Sequence, residues 1–228
     1  MYSIIDEHAD FLVLSKHQGV CIHSAADQIG LMVQLKKDLG SDNVFPVHRL
    51  DKVTSGLLLC AKTAAAASEL SQLFQHRKVE KFYLAISDQK PKKKQGLISG
   101  DMQRSRRSSW KLCKTKSNPA ITQFFSYSIG AGQRLYLLKP KTGKTHQLRV
   151  ALKSIAAPIM GDRLYGHPLE MPLGIYLHAF VLSFTYQGKV YRYMNQPEHW
   201  LLDSKGLGEK ARIDICQPWN LAWPVISA

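Results

Sequence analysis

The most constraining feature of this chain is a short apolar segment at residues 56–61, which contains Gly-Leu-Leu-Leu-Cys-Ala. A run of this kind, without polar residues on either face, is typical of a β-strand that is buried on both sides of its sheet. Thr63 follows almost at once and is a good N-cap for the alanine-rich stretch that continues to about His76. The sequence therefore predicts a buried strand that leads into an amphipathic helix.

The rest of the chain predicts a mixture of strands and helices. We expect strands at residues 11–14, 82–86, 121–125 and 134–139, and a hairpin at 181–193 around Gly188. A further helix is predicted from an N-cap at Asp27 to Gly40, and segment 143–152 reads as a turn that enters a helix. Because strands and helices do not alternate regularly, the pattern favours an α+β fold over a doubly wound parallel sheet.

Charge indicates the kind of partner that this chain binds. Lys and Arg total 31 against 17 Asp and Glu, which gives a formal net charge of +14. Cationic side chains at a phosphate backbone gain free energy by releasing condensed counterions, so the excess favours a polyanionic partner such as nucleic acid.

The four cysteines argue against a zinc site and against a disulfide framework. They lie far apart at Cys21, Cys60, Cys113 and Cys216, without a CxxC pair. We therefore expect reduced thiols.

The sequence shows no secretory signal and no membrane span. Its first sixteen residues carry acidic groups where a secretory signal would be basic, and no apolar run approaches the length of a membrane span. We therefore expect a cytoplasmic protein.

The strongest functional signal is the segment at residues 48–59, His-Arg-Leu-Asp-Lys-Val-Thr-Ser-Gly-Leu-Leu-Leu. It resembles the HRLDxxTSGLLL signature of the RluA-type RNA pseudouridine synthases. Other motifs of that family have counterparts in the same order: K-x-Y-x-A at residues 81–85, GRTHQIRV at 143–150, PIxGDxxYG at 158–166 and LHA at 177–179. The resemblance extends over residues 5–200.

This resemblance implies a fold and a reaction. The fold would be a bent, mixed and mostly antiparallel sheet, flanked by helices and crossed by a central active-site cleft. In the reaction, a uridine already in RNA is detached at its glycosidic bond, the base turns, and a carbon–carbon bond to the ribose forms. Neither a metal nor a cofactor is required, and the expected partner is a stem-loop of ribosomal or transfer RNA.

Four residues are the candidates for the chemistry. Asp51 is the expected nucleophile, because an ionised carboxylate can attack the sugar or the base, a choice that the sequence leaves open. The resemblance assigns Arg149 as the fixed cation that keeps this carboxylate ionised against desolvation. It assigns Arg49 to the gap in the RNA stack that the flipped uridine leaves. Tyr83 is expected to stack on the flipped base and to assist removal of the proton from carbon 5.

Residues 90–118 form the most basic stretch of the chain. Ten Lys and Arg residues lie between Lys90 and Lys116, with a single acid, Asp101. Members of the resembling family carry an RNA-clasping hairpin in this region, so we predict an RNA-contacting insertion that binds phosphates and offers one stacking surface. The predicted contacts are Lys92, Lys93, Lys94, Arg104, Arg106, Arg107 and Trp110.

Structural interpretations of the same residues are weaker in this context. Asp51 could cap a turn, Arg149 could be a surface charge, Tyr83 could be a core residue, and the basic run could be a solvated loop. The surrounding motifs favour the functional alternative in each case. His146 and His178, by contrast, are expected to be structural and hydrogen-bonded, since no third ligand follows at a metal-binding spacing.

Three positions depart from the common family form. His17 stands where a proline is usual, Lys144 replaces a frequent arginine, and Ala151 replaces a histidine. The Ala151 change leaves room for altered packing behind the site.

The expected organisation is a catalytic domain at residues 1–202 and a C-terminal tail at 203–228. We expect a monomer without the separate N-terminal RNA-binding domain of many relatives. The main alternative function is a catalytically idle RNA-binding or ribosome-assembly factor on the same scaffold. A glycoside hydrolase is a weaker alternative, because no second carboxylate stands at a recognisable spacing.

Overall fold

The computed structural model describes residues 1–24, 28–167, 171, 174–197, 200 and 206–226. The chain divides into two compact units, Met1–Lys81 with His178–Pro197, and Phe82–Leu177 with Glu198–Ala228. Within the described ranges the elements, in chain order, are β1 (Tyr2–Glu7), β2 (Phe11–Lys16), α1 (Leu31–Leu39), β3 (Phe45–Pro46), β4 (Ser55–Ala61), α2 (Ala64–Gln75), β5 (Glu80–Ser87), β6 (Gln95–Gly100), β7 (Met102–Arg104), β8 (Trp110–Leu112), β9 (Ala120–Gly130), β10 (Gln133–Pro140), α3 (Gln147–Ser154), β11 (Leu177–Tyr186), β12 (Lys189–Met194) and α4 (Glu209–Cys216).

The first unit is built on a mixed sheet. Its strands follow the order β1-β2-β4-β11, with β12 paired to β11 and β3 paired to β4. The β4–β11 pair is parallel and the other pairs are antiparallel. Leu57 and Leu59 of β4 are fully buried against Leu70 of α2 and Phe184 of β11. The prediction that this strand is buried on both faces is confirmed, since Leu58 and Cys60 are buried as well.

Both predicted helices of this unit form. The Thr63 hydroxyl accepts a hydrogen bond from the N–H of Ala66 at 3.1 Å, which confirms the predicted N-cap of α2. Helix α1 ends at Gly40, whose left-handed backbone at φ 60° lets two helix carbonyls be satisfied. The predicted N-cap at Asp27 lies outside the described residues.

The second unit carries an antiparallel sheet of order β5-β10-β9-β6 and a separate two-stranded ribbon, β7-β8. The predicted strands in β5, β9 and β10 are confirmed. In the basic region the local pattern predicted no strands, and only the family resemblance implied a hairpin. Helix α3 follows the predicted turn, and all of its residues from Gln147 to Leu152 are buried.

Part of the predicted tail packs onto this second unit. The Trp223 ring lies 5.7 Å from the Phe82 ring and 4.9 Å from the Phe125 ring. The side-chain amide of Gln123 donates to the Pro224 carbonyl at 2.5 Å, and the Tyr127 hydroxyl donates to Asp214 at 2.9 Å. These contacts join α4 and the residues after it to β5 and β9.

The architecture confirms the predicted α+β class, because mixed and mostly antiparallel strands combine with helices in an irregular order. None of the helices in the described part of the chain is long and apolar enough to cross a membrane.

Candidate active site

Asp51 begins the loop that enters β4. Its side chain is half-buried, and the N–H of Thr54 donates to its backbone carbonyl at 3.0 Å, which closes a turn. A second segment holds this loop: the Gln18 side-chain amide donates to the Val53 carbonyl at 2.7 Å, and the N–H of Gly19 donates to the Lys52 carbonyl at 2.9 Å. The loop of the predicted nucleophile is therefore fixed through its own backbone.

Lys16 contributes a buried cation to the same loop. Its side chain has no solvent exposure, and its ammonium donates to the carbonyls of His17, Val20 and Lys52 at 3.1, 3.0 and 3.2 Å. Burial lowers the pKa of Lys16 to about 8, while attraction to Cys21 and Asp51 acts in the opposite direction. The Lys16 ammonium is thus electrostatically coupled to the Asp51 carboxylate.

Gly56 sets the position where the loop becomes strand β4. Its φ is 104°, and a Cβ there would collide with the backbone of Ala179, so a larger residue would push the two strands apart.

His178 is hydrogen-bonded through both ring nitrogens. The Ser55 hydroxyl lies 2.9 Å from Nδ1 of His178, whose Nε2 lies 2.8 Å from the Asn195 carbonyl. Because a carbonyl only accepts, Nε2 carries a hydrogen, and in the neutral ring Nδ1 then accepts from Ser55. His178 is hydrogen-bonded, as predicted.

His48 and Arg49 point in different directions from the segment before Asp51. Nε2 of His48 accepts the N–H of Leu59 at 2.9 Å, and its ring stacks on Phe74 at 4.4 Å. Burial, and then the charge of Lys81, lower the pKa of His48 to about 3, so the ring is neutral. Arg49 is exposed, as a residue that contacts RNA must be.

Arg149 lies on α3 and is only 5% exposed. Its Nε and Nη2 donate to the two carboxylate oxygens of Asp162 at 2.7 and 2.9 Å, and Asp162 has no exposure. The guanidinium carbon also lies 4.9 Å from the centre of the Tyr165 ring. The alternative that Arg149 is an ordinary surface charge is therefore wrong, because bidentate pairing and stacking fix this group inside the second unit.

Tyr165 links this arginine to the basic region. Its hydroxyl accepts the backbone N–H of Trp110 at 3.0 Å and lies 2.8 Å from Nδ1 of His146. His146 is the residue before α3 and has a left-handed backbone at φ 57°. The hydrogen-bonded role predicted for His146 is confirmed.

Tyr83 lies on β5, opposite Leu138 of β10. Its neighbours Phe82 and Leu84 are fully buried, whereas Tyr83 is half-buried. Because successive side chains of a strand point to opposite faces, Tyr83 lies on the other face of the sheet from these two residues.

The basic region forms a hairpin, residues 102–112, which we call the basic hairpin. Arg106 and Arg107 are exposed in its turn, where Arg107 has a φ of 54°. The Arg104 guanidinium carbon lies 5.6 Å from the Trp110 ring, so a cation and an aromatic surface stand side by side. Lys92, Lys93 and Lys94 are exposed in the loop before β6, and the Lys94 carbonyl accepts from the backbone N–H and the hydroxyl of Ser126 at 2.7 and 3.0 Å.

The predicted residues fall into two groups. Asp51 and Arg49 belong to the first unit, while Tyr83, Arg149 and the predicted basic contacts belong to the second. Sequence reasoning gave no role to Lys16, Asp162 or Tyr165. The signal for the last two was present, since both lie in the segment at residues 158–166 that resembles a family motif.

Comparison with known proteins adds an independent finding. The family model described as RNA pseudouridylate synthase matches residues 10–154, which is more than half of the chain. The chain therefore belongs to the RNA pseudouridylate synthase family.

Individual relatives refine this assignment. An uncharacterized RNA pseudouridine synthase from Haemophilus influenzae is 52% identical over 183 residues, covering 80% of this chain and 82% of the relative. The dual-specificity RNA pseudouridine synthase RluA of Salmonella typhimurium is 32% identical over 189 residues, covering 79% and 84%. The structure of human RNA pseudouridylate synthase domain containing 1 matches with a TM-score of 0.80 at 27% identity, over 100% of this chain and 97% of that one. The predicted RluA-type family, its fold and its class, an isomerase that acts on RNA, are confirmed.

Proposed function

We propose that the chain converts a specific uridine of ribosomal or transfer RNA to pseudouridine, with Asp51 as the nucleophile. The observation that carries this proposal is the way the Asp51 loop is held. The Gln18 side-chain amide and the Gly19 N–H donate to backbone carbonyls of the loop, and the buried Lys16 ammonium supplies a positive charge to which Asp51 is coupled.

The reaction is an isomerisation and needs no other reactant. The bond between N1 of uracil and C1′ of ribose breaks, and a bond between C5 and C1′ forms. C5 loses a proton and N1 gains one, so the composition of the RNA is unchanged. In our proposal Asp51 attacks the ribose or the base during detachment and leaves again when the new bond forms.

The remaining candidates serve steps around this attack. The uridine must leave the RNA stack before it can react, at a cost of a few kcal/mol, and we assign Arg49 to the vacated position. Arg149 is assigned as the cation of the site and Tyr83 as the stacking surface and proton acceptor. The basic hairpin and Lys92, Lys93 and Lys94 are assigned to phosphate contacts in a stem-loop, which a monomer can bind.

Tritium release tests the nucleophile directly. Ribosomal and transfer RNA transcripts carrying tritium at carbon 5 of uridine lose the label to water only where a new bond forms at that carbon. We expect release with the native chain, no release with Asp51→Asn, and native release with Asp42→Asn, whose side chain is 99% exposed. Asp51→Asn should still fold and bind RNA, and full turnover by this variant would refute the proposal.

The same experiment separates the idle-scaffold alternative. If the native chain binds the transcripts without releasing tritium, and if pseudouridine maps of cells with and without the gene are identical, the alternative function is correct. A site lost from the map would identify the substrate uridine.

A further inference from the structure

We propose that Tyr165 is a positioning residue that couples the basic hairpin to Arg149. Its hydroxyl seats the hairpin for RNA binding, and its ring holds the guanidinium in the orientation used for turnover. This inference rests on the proposed function for the role of Arg149. It concerns a residue to which the reaction scheme gives no part.

The Tyr165 hydroxyl contacts the basic hairpin next to its turn. Three residue pairs join β7 to β8, from Met102 with Leu112 to Arg104 with Trp110, and backbone hydrogen bonds follow at both ends of this ladder. A two-stranded hairpin of this size is marginally stable by itself in water, so contacts from outside decide its position. The Tyr165 hydroxyl binds the backbone N–H of Trp110, the last pair before the turn that carries Arg106 and Arg107. A bond at this point positions both arginines and the Trp110 ring.

The Tyr165 ring contacts the Arg149 guanidinium. Tyr165 is 4% exposed, and its face covers the Arg149 guanidinium at 4.9 Å. A planar guanidinium under an aromatic face cannot rotate freely, which adds to the constraint that Asp162 applies at its edge.

A single turn carries both constraints. The N–H of Tyr165 and the N–H of His167 donate to the Asp162 carbonyl at 3.1 and 3.0 Å. Asp162 and Tyr165 are therefore held in one hydrogen-bonded turn, and in our proposal a displacement of the hairpin that shifts the Tyr165 hydroxyl also changes the surroundings of Arg149. The Tyr165 hydroxyl further binds His146, directly before the helix that carries Arg149.

Conservative variants separate the two roles. Tyr165→Phe removes the hydroxyl and keeps the ring. We expect its dissociation constant for a ribosomal RNA transcript to rise roughly five- to tenfold, since the partly buried N–H of Trp110 loses its acceptor. Turnover at saturating RNA should stay within about twofold of native. Tyr165→Leu also removes the aromatic face, and turnover should fall about tenfold in addition. If the leucine variant does not fold, Tyr165→Met fills a similar volume without that face.

Two further measurements test whether Tyr165 affects RNA affinity by positioning the basic hairpin. Amide hydrogen exchange in the peptide that contains Trp110 should be faster in Tyr165→Phe and unchanged in Tyr127→Phe, which loses a hydroxyl bound to Asp214 in the same unit. In the Arg106→Ala/Arg107→Ala background, Tyr165→Phe should cause a smaller further loss of affinity than in the native background, because only the Trp110 ring remains of the groups that it positions.

The outcomes are distinct from those of the proposed function. Unchanged affinity and exchange in Tyr165→Phe, or losses that multiply fully with those of the two arginine changes, would overturn the coupling. A native chain that releases no tritium would refute the proposed function, while the affinity, exchange and double-variant measurements would still decide whether Tyr165 seats the hairpin.

Discussion

Arg149 and Asp162 form a buried bidentate ion pair, with Nε and Nη2 of the arginine 2.7 and 2.9 Å from the two carboxylate oxygens. Both side chains are almost completely removed from water. Removal of either charge takes a bidentate partner from the other in a medium of low polarity, which is costly for a buried ionised group.

Removal of the acid alone should therefore be severe. We expect Asp162→Ala to lower the free energy of unfolding by about 3–5 kcal/mol, measured by urea denaturation. The double variant Arg149→Met/Asp162→Leu should recover a large part of this stability, because it removes both charges and keeps much of the volume. Equal stability of Asp162→Ala and the native chain would mean that the pair contributes nothing to folding.

The buried Lys16 ammonium predicts a pH limit on turnover. Its pKa is about 8, so the positive charge coupled to Asp51 is lost as the pH rises through that value. We expect turnover to fall above about pH 8, and Lys16→Met to show a plateau about tenfold lower without this decrease. Lys16→Arg keeps the charge over the whole range and should also lack the decrease.

Unfolding caused by the titration of Lys16 cannot explain the predicted decrease in turnover, because this titration raises the free energy of unfolding as the pH rises. The unfolded chain keeps the Lys16 proton up to its ordinary pKa of 10.5, so between about pH 8 and that value the unfolded state binds more protons than the native state. Deprotonation of Lys16 alone therefore makes the native state more stable as the pH rises. A Lys16→Met chain with the native decrease in turnover would show that another group is responsible.

His48 predicts a loss of stability in acid. Its pKa is about 3 in the native state against an ordinary 6.5, so below pH 6.5 the unfolded state takes up a proton that the native state does not. The contribution is complete above pH 6.5 and is lost progressively as the pH falls toward 3. Between about pH 7 and about pH 5 the loss should be about 2 kcal/mol.

The matched variant for this prediction is His48→Gln. A glutamine amide oxygen can still accept the N–H of Leu59 but does not titrate. Urea denaturation at several pH values should show a flatter dependence for His48→Gln than for the native chain, with His76→Gln, an exposed histidine, as the control. Parallel curves for all three proteins would contradict the assignment to His48.

Local signals were sufficient to predict much of this fold. The apolar run before Thr63 and the cap itself predicted β4 and α2, because burial on both faces and side-chain capping are decided within a few residues. The local pattern did not predict the strands of the basic hairpin, which only the family resemblance implied, since the hairpin is held by contacts such as the Tyr165 hydroxyl that are distant in sequence. The tail gave no periodic signal, and its packing through Trp223 depends on strands formed about a hundred residues earlier.

In the candidate site, too, residues inside local motifs could be predicted, whereas contacts between different segments of the chain could not. Asp51, Tyr83 and Arg149 could be proposed because each lies inside a contiguous motif. Lys16 could not be assigned a role, because its burial and its contact with the Lys52 carbonyl depend on a segment 36 residues away. Asp162 lies inside a motif, but its pairing with the Arg149 guanidinium was not predicted from that motif. The local spacing of residues does not predict which buried charged groups contact each other in the folded chain.

The exposed arginines of the basic hairpin predict a specific change in salt dependence. Each phosphate contact that is lost should reduce the slope of log affinity against log salt concentration by about 0.7–0.9, because fewer counterions are released on binding. Arg106→Ala/Arg107→Ala should thus reduce the magnitude of this slope by about 1.5, with native stability. Lys210→Ala/Arg212→Ala removes two exposed charges from α4 and is the matched control. Filter binding of the same ribosomal RNA transcript over a range of salt concentrations measures both slopes. Equal reductions in the two double variants would mean that net charge, rather than the basic hairpin, attracts the RNA, and an unchanged slope in the arginine variant would exclude these residues from phosphate contact.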